Sequence, residues 1–300
     1  MAARDVSMLV DGGDFFEGPR WHDGRWWISD FYRHQVRTIT TDGREEVVVE
    51  VPGQPSGLGW LPDGSLVISS MKDHKVLVHR DGALDVLADL GGMVGGHLND
   101  LVTDDRGRSY VGNFGFDLMG GAQPAPADLV RVDPDGTTTI AATDLFFPNG
   151  SVITPDGATL IVGETTGNRY SAFTIGDDGS LSDRRTWATF GEAPPLGTSF
   201  AEGLALLKVS PDGCALDAEG HIWAADALGN RCVRVAPGGE LVDEVTVPGG
   251  LGIYACMLGG DDGTTLLLCA APDFFEHARA GAGEAVLFTT TVDVPHAGMP

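Results

Sequence analysis

Apolar residues along this chain come in short bursts of alternating character, separated by acidic-glycine turns, and the bursts do not follow the spacing of a helix. The clearest unit runs from Pro211 to Asp226. Asp212 leads into a short apolar run, Glu219-Gly220 makes a turn, and Ile222-Trp223-Ala224-Ala225 carries the chain back. That plan predicts a half-buried β-hairpin.

Five other segments repeat it. Glu17-Gly18-Pro19-Arg20-Trp21 pairs with Trp26-Trp27-Ile28 across Asp23-Gly24, and Ser56-Gly57-Leu58 with Leu66-Val67-Ile68 across Asp63-Gly64. Asn99-Asp100-Leu101 pairs with Tyr110-Val111, Asn149-Gly150-Ser151 with Leu160-Ile161-Val162, and Tyr254-Ala255-Cys256 with Leu266-Leu267-Leu268. The turn glycines recur near the roughly 40–50 residues of a propeller blade, with one longer gap between Gly157 and Gly220. A third strand and usually a fourth follow each hairpin, for example Gln35–Thr40 and Glu45–Val51, or Arg231–Val235 and Leu241–Val247. The expected fold is all-β: a six-bladed β-propeller with four-stranded antiparallel blades and a central metal site, residues 1–300 forming one domain. Val6–Val10 precedes the first repeat and is expected to complete the last blade, closing the ring and removing its open edges. Long connections are expected at Phe114–Ala127, Gly191–Ser210 and Pro272–Gly283, where binding loops or lids would sit. They carry Phe114, Phe116, Phe200, Phe274 and Phe275.

Composition narrows the partners more than the fold. The 43 glycines and 17 prolines suit a chain that turns often, and the net charge of −24 argues against phosphate backbones and anionic membrane surfaces. No charged-then-apolar leader or run of about 18 apolar residues is seen, so a soluble cytoplasmic protein is expected, a monomer or small homo-oligomer acting on a small molecule. Cys214, Cys232, Cys256 and Cys269 fall in predicted strands without metal-ligand spacing and are expected as buried thiols.

Counting back from each turn glycine aligns Glu17, Ser56, Asn99, Asn149, Asp212 and Tyr254 at the start of the first strands. In a propeller those strands begin beside the axial channel, so Glu, Asn and Asp oxygens would converge on one point. Such hard donors suit Ca²⁺, Mg²⁺ or Mn²⁺. Turn chemistry is the competing explanation for Asn149-Gly150 and Pro211-Asp212-Gly213. Position argues against it: Pro62-Asp63-Gly64 and Pro155-Asp156-Gly157 fall at the first-to-second-strand turn, whereas Pro211-Asp212-Gly213 lies earlier in its copy, in the column.

The segments Phe16-Glu17-Gly18-Pro19-Arg20-Trp21, Leu98-Asn99-Asp100, Pro148-Asn149-Gly150 and Pro211-Asp212-Gly213, with Asp217 to Ala225, resemble the SMP-30/gluconolactonase/LRE family over nearly the whole chain. The resemblance implies one divalent cation held by Glu17, Asn149 and Asp212, calcium being the first expectation and magnesium, manganese, zinc or iron the alternatives. It implies that Asn99 touches substrate or metal-bound water, or ligates directly. It also implies a lactonase in which the cation polarises the ring carbonyl and Asp212 acts as general base. Family lactonases that act on polar sugar lactones often carry arginine two residues before the Asn-Asp pair, where this chain has His97. With Phe114, Phe116, Phe146 and Phe147, that departure suggests a less polar pocket and a more hydrophobic cyclic ester; His97, Phe114 and Phe147 join Asn99 as expected substrate-binding residues. Two other readings use the same frame: a phosphotriesterase-like hydrolase, and a non-hydrolytic biosynthetic or ligand-binding propeller with a structural metal. Glu164 and Asp226 read either as support for the site or as ordinary turn acids.

Overall fold

Each predicted hairpin forms, and each is extended by two further strands into an antiparallel four-stranded sheet, six sheets in all. The computed structural model describes residues 4–298. The first strands are Phe16–His22, Pro55–Trp60, Leu98–Thr103, Pro148–Ile153, Pro211–Leu216 and Gly252–Gly259. Each packs against the first strands of both neighbours, and the last touches the first, so the sheets form a closed ring. Burial follows this radial order: Leu98–Thr103 and Gly252–Gly259 are buried throughout, whereas the fourth strands Glu45–Glu50 and Leu181–Thr189 are largely exposed and carry the charges.

Closure is made by the chain's own ends. Ser7–Gly13 pairs antiparallel with Ala285–Thr291 as the outer strand of the sixth sheet, somewhat longer than the expected Val6–Val10. The pairing joins the chain's two ends in one sheet and so fastens the last blade to the first. The three long connections appear as expected, the second carrying the short helix Phe200–Leu204 and the third Glu276–Arg279. All four cysteines are buried free thiols.

Neighbouring inner strands approach so closely that side chains are excluded at defined points. A Cβ on Gly57 would lie 2.2 Å from the backbone nitrogen of Leu101, and one on Gly150 would lie 2.3 Å from the carbonyl oxygen of Asp212. Hydroxyls in or just past the second strand of one blade then tie it to the first strand of the next: Ser29 Oγ donates to the Ser56 carbonyl (2.6 Å), Ser69 Oγ to that of Asn99 (2.6 Å), and Thr165 Oγ1 to that of Pro211 (2.7 Å). The Gly57 contact is with backbone, which cannot give way as a flexible side chain would. Gly57→Ala is therefore expected to lower stability by roughly 1–3 kcal/mol through overpacking. Gly92→Ala, at a site with nothing within 4 Å of the added Cβ, is expected to be near neutral. Comparing thermal unfolding of the two variants checks this, and equal Tm values would refute the close-approach account.

Candidate active site and cation centre

All six first strands shift register at their channel end, between Glu17 and Arg20, Pro55 and Leu58, Leu98 and Leu101, Pro148 and Ser151, Pro211 and Cys214, and Ile253 and Ala255. A bulge bends a strand and re-aims the side chain at the break. The column residues lie at or within these breaks, and Asn149-Gly150 and Pro211-Asp212-Gly213 are strand rather than turn. Glu17, Asn99, Asn149, Asp212 and Tyr254 all line one cavity. The sixth column residue, Ser56, is buried beside it, its Oγ 3.5 Å from Asn99 Oδ1.

The donor chemistry of this cluster fits a hard divalent cation. Burial, then Asp212 and Asp100, push the Glu17 carboxyl well above its usual range, against the pull of the Gly18 N–H, 2.6 Å from Oε2. Burial likewise raises Asp212, opposed by hydrogen bonding from Asn149. Two such carboxylates in a desolvated channel are unfavourable unless protonated or compensated by positive charge. Asn149 Nδ2 donates to Thr165 Oγ1 (3.0 Å), whose own proton goes to Pro211, and this fixes which end of the amide is the free oxygen. Asn99 Nδ2 is buried without a partner, so its amide retains capacity for a ligand. Among the described residues no three His, Cys, Asp or Glu side chains gather into a metal-sized group. The candidate set is instead two carboxylates and two carboxamides.

The positive charge nearest in sequence is already engaged. Arg20 donates to Asp100 Oδ1 (2.6 Å) and to the carbonyls of Leu101 (2.6 Å), Pro19 (2.8 Å) and Leu58 (3.1 Å), clamping three blades together inside the ring. The sequence reading missed this pair. Its signal was available: the column residue is followed by glycine in Glu17-Gly18, Ser56-Gly57, Asn149-Gly150 and Asp212-Gly213, but by a charge in Asn99-Asp100.

His97, Phe114 and Phe147 also line the cavity, with Phe114 4.5 Å from Phe147 and 5.7 Å from His97, centroid to centroid. Phe200 and Phe274 join them from the second and third long loops. Phe116 backs the wall, 6.0 Å from Phe200, but Phe275 is half-exposed. Phe146 corrects the expectation of a pocket residue: it lies outside this cavity, under the Arg169 guanidinium. Glu164 and Asp226 are buried structural acids. Glu164 accepts from the Phe146 N–H (2.9 Å) and pairs with Arg169; Asp226 accepts from the Ser210 N–H (2.9 Å) and pairs with Arg231. Gln54, which no sequence motif pointed to, lines the cavity beside these residues. Gln54 and Phe147 each precede a proline and hold φ of 76° and 57°, a region that residues with bulky side chains rarely occupy. Their carbonyls accept from the Met71 N–H (2.8 Å) and the Thr165 N–H (3.1 Å), which helps to hold that conformation.

The closed ring of six four-stranded sheets is a six-bladed propeller, with its polar cluster at the bulged ends of the inner strands. Residues 15–272 match the model of the SMP-30/Gluconolactonase/LRE-like region, and the chain belongs to that family. The pentonolactonase XacC of Haloferax volcanii is 28% identical over 190 residues, 58% of this chain and 58% of that protein. The 6-deoxy-6-sulfogluconolactonase of Pseudomonas putida is 27% identical over 206 residues, 67% of this chain and 64% of its own length, so the matches span about three-fifths of these two relatives. The solved structure of a calcium-binding protein, regucalcin, from Agrobacterium tumefaciens superposes with a TM-score of 0.79 at 21% identity, covering 100% of this chain and 99% of that one, which shows the shared fold.

Two outcomes follow from the electrostatics. Asp100→Ala leaves Arg20 buried without its carboxylate and is expected to cost about 3–5 kcal/mol of stability, read as a fall in Tm. In chelator-treated protein Asp212→Asn is expected to melt at or above the parent, because the amide removes a buried charge while keeping the shape. Returning a divalent ion at about 100 times its Kd should stabilise the parent by about 2.7 kcal/mol and the variant by less. Equal ion responses in parent and variant would exclude Asp212 from the ion site.

Proposed function

We propose that this protein is a divalent-cation-dependent hydrolase that opens a lactone ring. Carrying the reading is the meeting of Glu17, Asn99, Asn149 and Asp212, from four separate blades, at one wall of a cavity otherwise lined mostly by apolar side chains. Glu17, Asn149 and Asp212 would hold the ion, with Asn99 facing substrate or water. When bound, the cation supplies Lewis-acid polarisation of an ester carbonyl and stabilises the charge that develops on its oxygen. The lactonase names of the curated relatives favour an ester-ring substrate, and the calcium-binding regucalcin favours calcium.

In this reading Asp212 takes the proton from the attacking water. In the ion-free channel burial raises the Asp212 pKa, and a bound cation would draw it down again, leaving the carboxylate ionised and able to accept a proton near neutral pH. Asn99, with an unpaired Nδ2, hydrogen-bonds the substrate's ring or carbonyl oxygen and orients it. The surrounding phenylalanines exclude bulk water, so the groups in the cluster act in a medium of low dielectric.

Asp212→Asn is expected to reduce kcat by on the order of 10²- to 10⁴-fold. Elemental analysis of dialysed protein, followed by a pH-indicator assay of a lactone panel with each divalent ion returned, gives both the ion and the activity. Full activity in Asp212→Asn would remove the residue from the mechanism. Ion-independent turnover would remove the cation from it.

A further inference from the structure

A second ring of side chains lies above the polar cluster, most of it carried by residues one position before the inner strands begin. The positions two before Glu17, Ser56, Asn99, Asn149 and Asp212 are Phe15, Gln54, His97, Phe147 and Ser210, and all five line the cavity. The sixth is Gly252, where a Cβ would lie 2.6 Å from Tyr254 Oη, so the tyrosine fills that place in the ring.

This ring offers almost no polar or charged recognition. Ser210 Oγ donates to the Thr165 carbonyl (2.9 Å). The His97 imidazole lies between the Phe114 ring (5.7 Å) and the His74 ring (6.2 Å), centroid to centroid. Lys72, the other basic residue lining the cavity, is held by Glu276 at 2.6 Å. Beside the His97 imidazole and the Tyr254 hydroxyl stands Gln54, the most enclosed of the three: 2% exposed, with Oε1 lacking any partner and a strained backbone. Outward from the ring Met119 and Leu228 line the cavity and are 42% and 40% exposed, giving an apolar stretch beside the Lys72–Glu276 pair.

We propose that the site selects an uncharged lactone bearing an alkyl or aryl substituent, which packs against the Phe114 and Phe147 rings while the Gln54 amide pairs with one polar group on it. The proposal rests on the lactone-opening reading above and adds its specificity. A polyhydroxylated sugar lactone would bury several hydroxyls against phenylalanine, and each left unpaired weakens binding by about tenfold. An alkyl chain instead gains on the order of fourfold per buried methylene. A chain longer than the cavity can run out over Met119 and Leu228.

The test pairs δ-lactones of increasing alkyl length, a phenyl-substituted γ-lactone and glucono-1,5-lactone, assayed for turnover, with the corresponding alkyl lactams, which keep the ring but resist opening, assayed by calorimetry. We expect kcat/KM to rise by about fourfold per methylene over the first few carbons, lactam affinity to rise in parallel, and glucono-1,5-lactone to be the poorest substrate. Gln54→Leu is expected to raise KM for a hydroxyalkyl lactone by about tenfold relative to the plain alkyl lactone, with kcat little changed. A merely structural role would instead lower Tm and depress both substrates alike. Preference for glucono-1,5-lactone, or chain length without effect on turnover and lactam affinity, overturns the proposal while leaving hydrolysis intact. Chain-dependent lactam binding with no lactone opened by any divalent ion upholds the specificity and overturns the hydrolase.

Discussion

Backbone-to-backbone contact between neighbouring inner strands is the constraint on which the rest depends. Gly18 faces the Ser56 carbonyl and Gly213 faces Ala255, as Gly57 faces Leu101 and Gly150 faces Asp212, each at a distance that excludes a Cβ. With no side chain between them, the strands draw together at their channel ends, where each also breaks register. The residue just before each glycine cannot point into the neighbouring blade, which is occupied by backbone, and so turns toward the axis. The glycines thus direct Glu17, Asn149 and Asp212 without touching any ligand.

That geometry brings an electrostatic problem with it. Two carboxylates reach a desolvated channel whose nearest guanidinium, that of Arg20, is already matched one-to-one by Asp100. The pair holds three blades together and is close to neutral, so it leaves the charge of Glu17 and Asp212 standing. A fold selected only for stability would replace one of the two with an amide or an apolar residue. Their presence together, alongside an Asn99 amide with an unfilled hydrogen bond, is a local conflict that stability alone does not explain.

The blades, the closing strand and the polar column were legible in the sequence because each depends on local periodicity: alternation within a strand, a glycine at each turn, a repeat of fixed length. Features that depend on which blade lies next to which were not. Arg20 and Asp100 are eighty positions apart and meet only because the first and third blades share the channel. Phe146 and Phe147 are adjacent, and hydrophobicity alone treated them alike. The bend between two strands separates them, since Phe147, with its left-handed backbone, lines the cavity with Asn149 while Phe146 turns outward to Arg169. Gln54 escaped notice for another reason: a lone glutamine before a proline matches no motif, and its left-handed backbone becomes visible only in three dimensions.

The two rings divide the labour in a way that follows from strand geometry. The column residues sit at the bulges, where the backbone is pinned by its neighbours, so their positions tolerate little change without disturbing the channel. Residues two positions earlier lie where the strands begin to diverge toward the loops, and a substitution there alters the cavity wall while leaving the close contacts beneath untouched. His97 in place of an arginine, and Gln54 among phenylalanines, are differences of this second kind. On the proposed lactone-opening reading, changes confined to the upper ring would redirect which substituent is accepted while the polar cluster below stays the same, as one fold can carry several specificities.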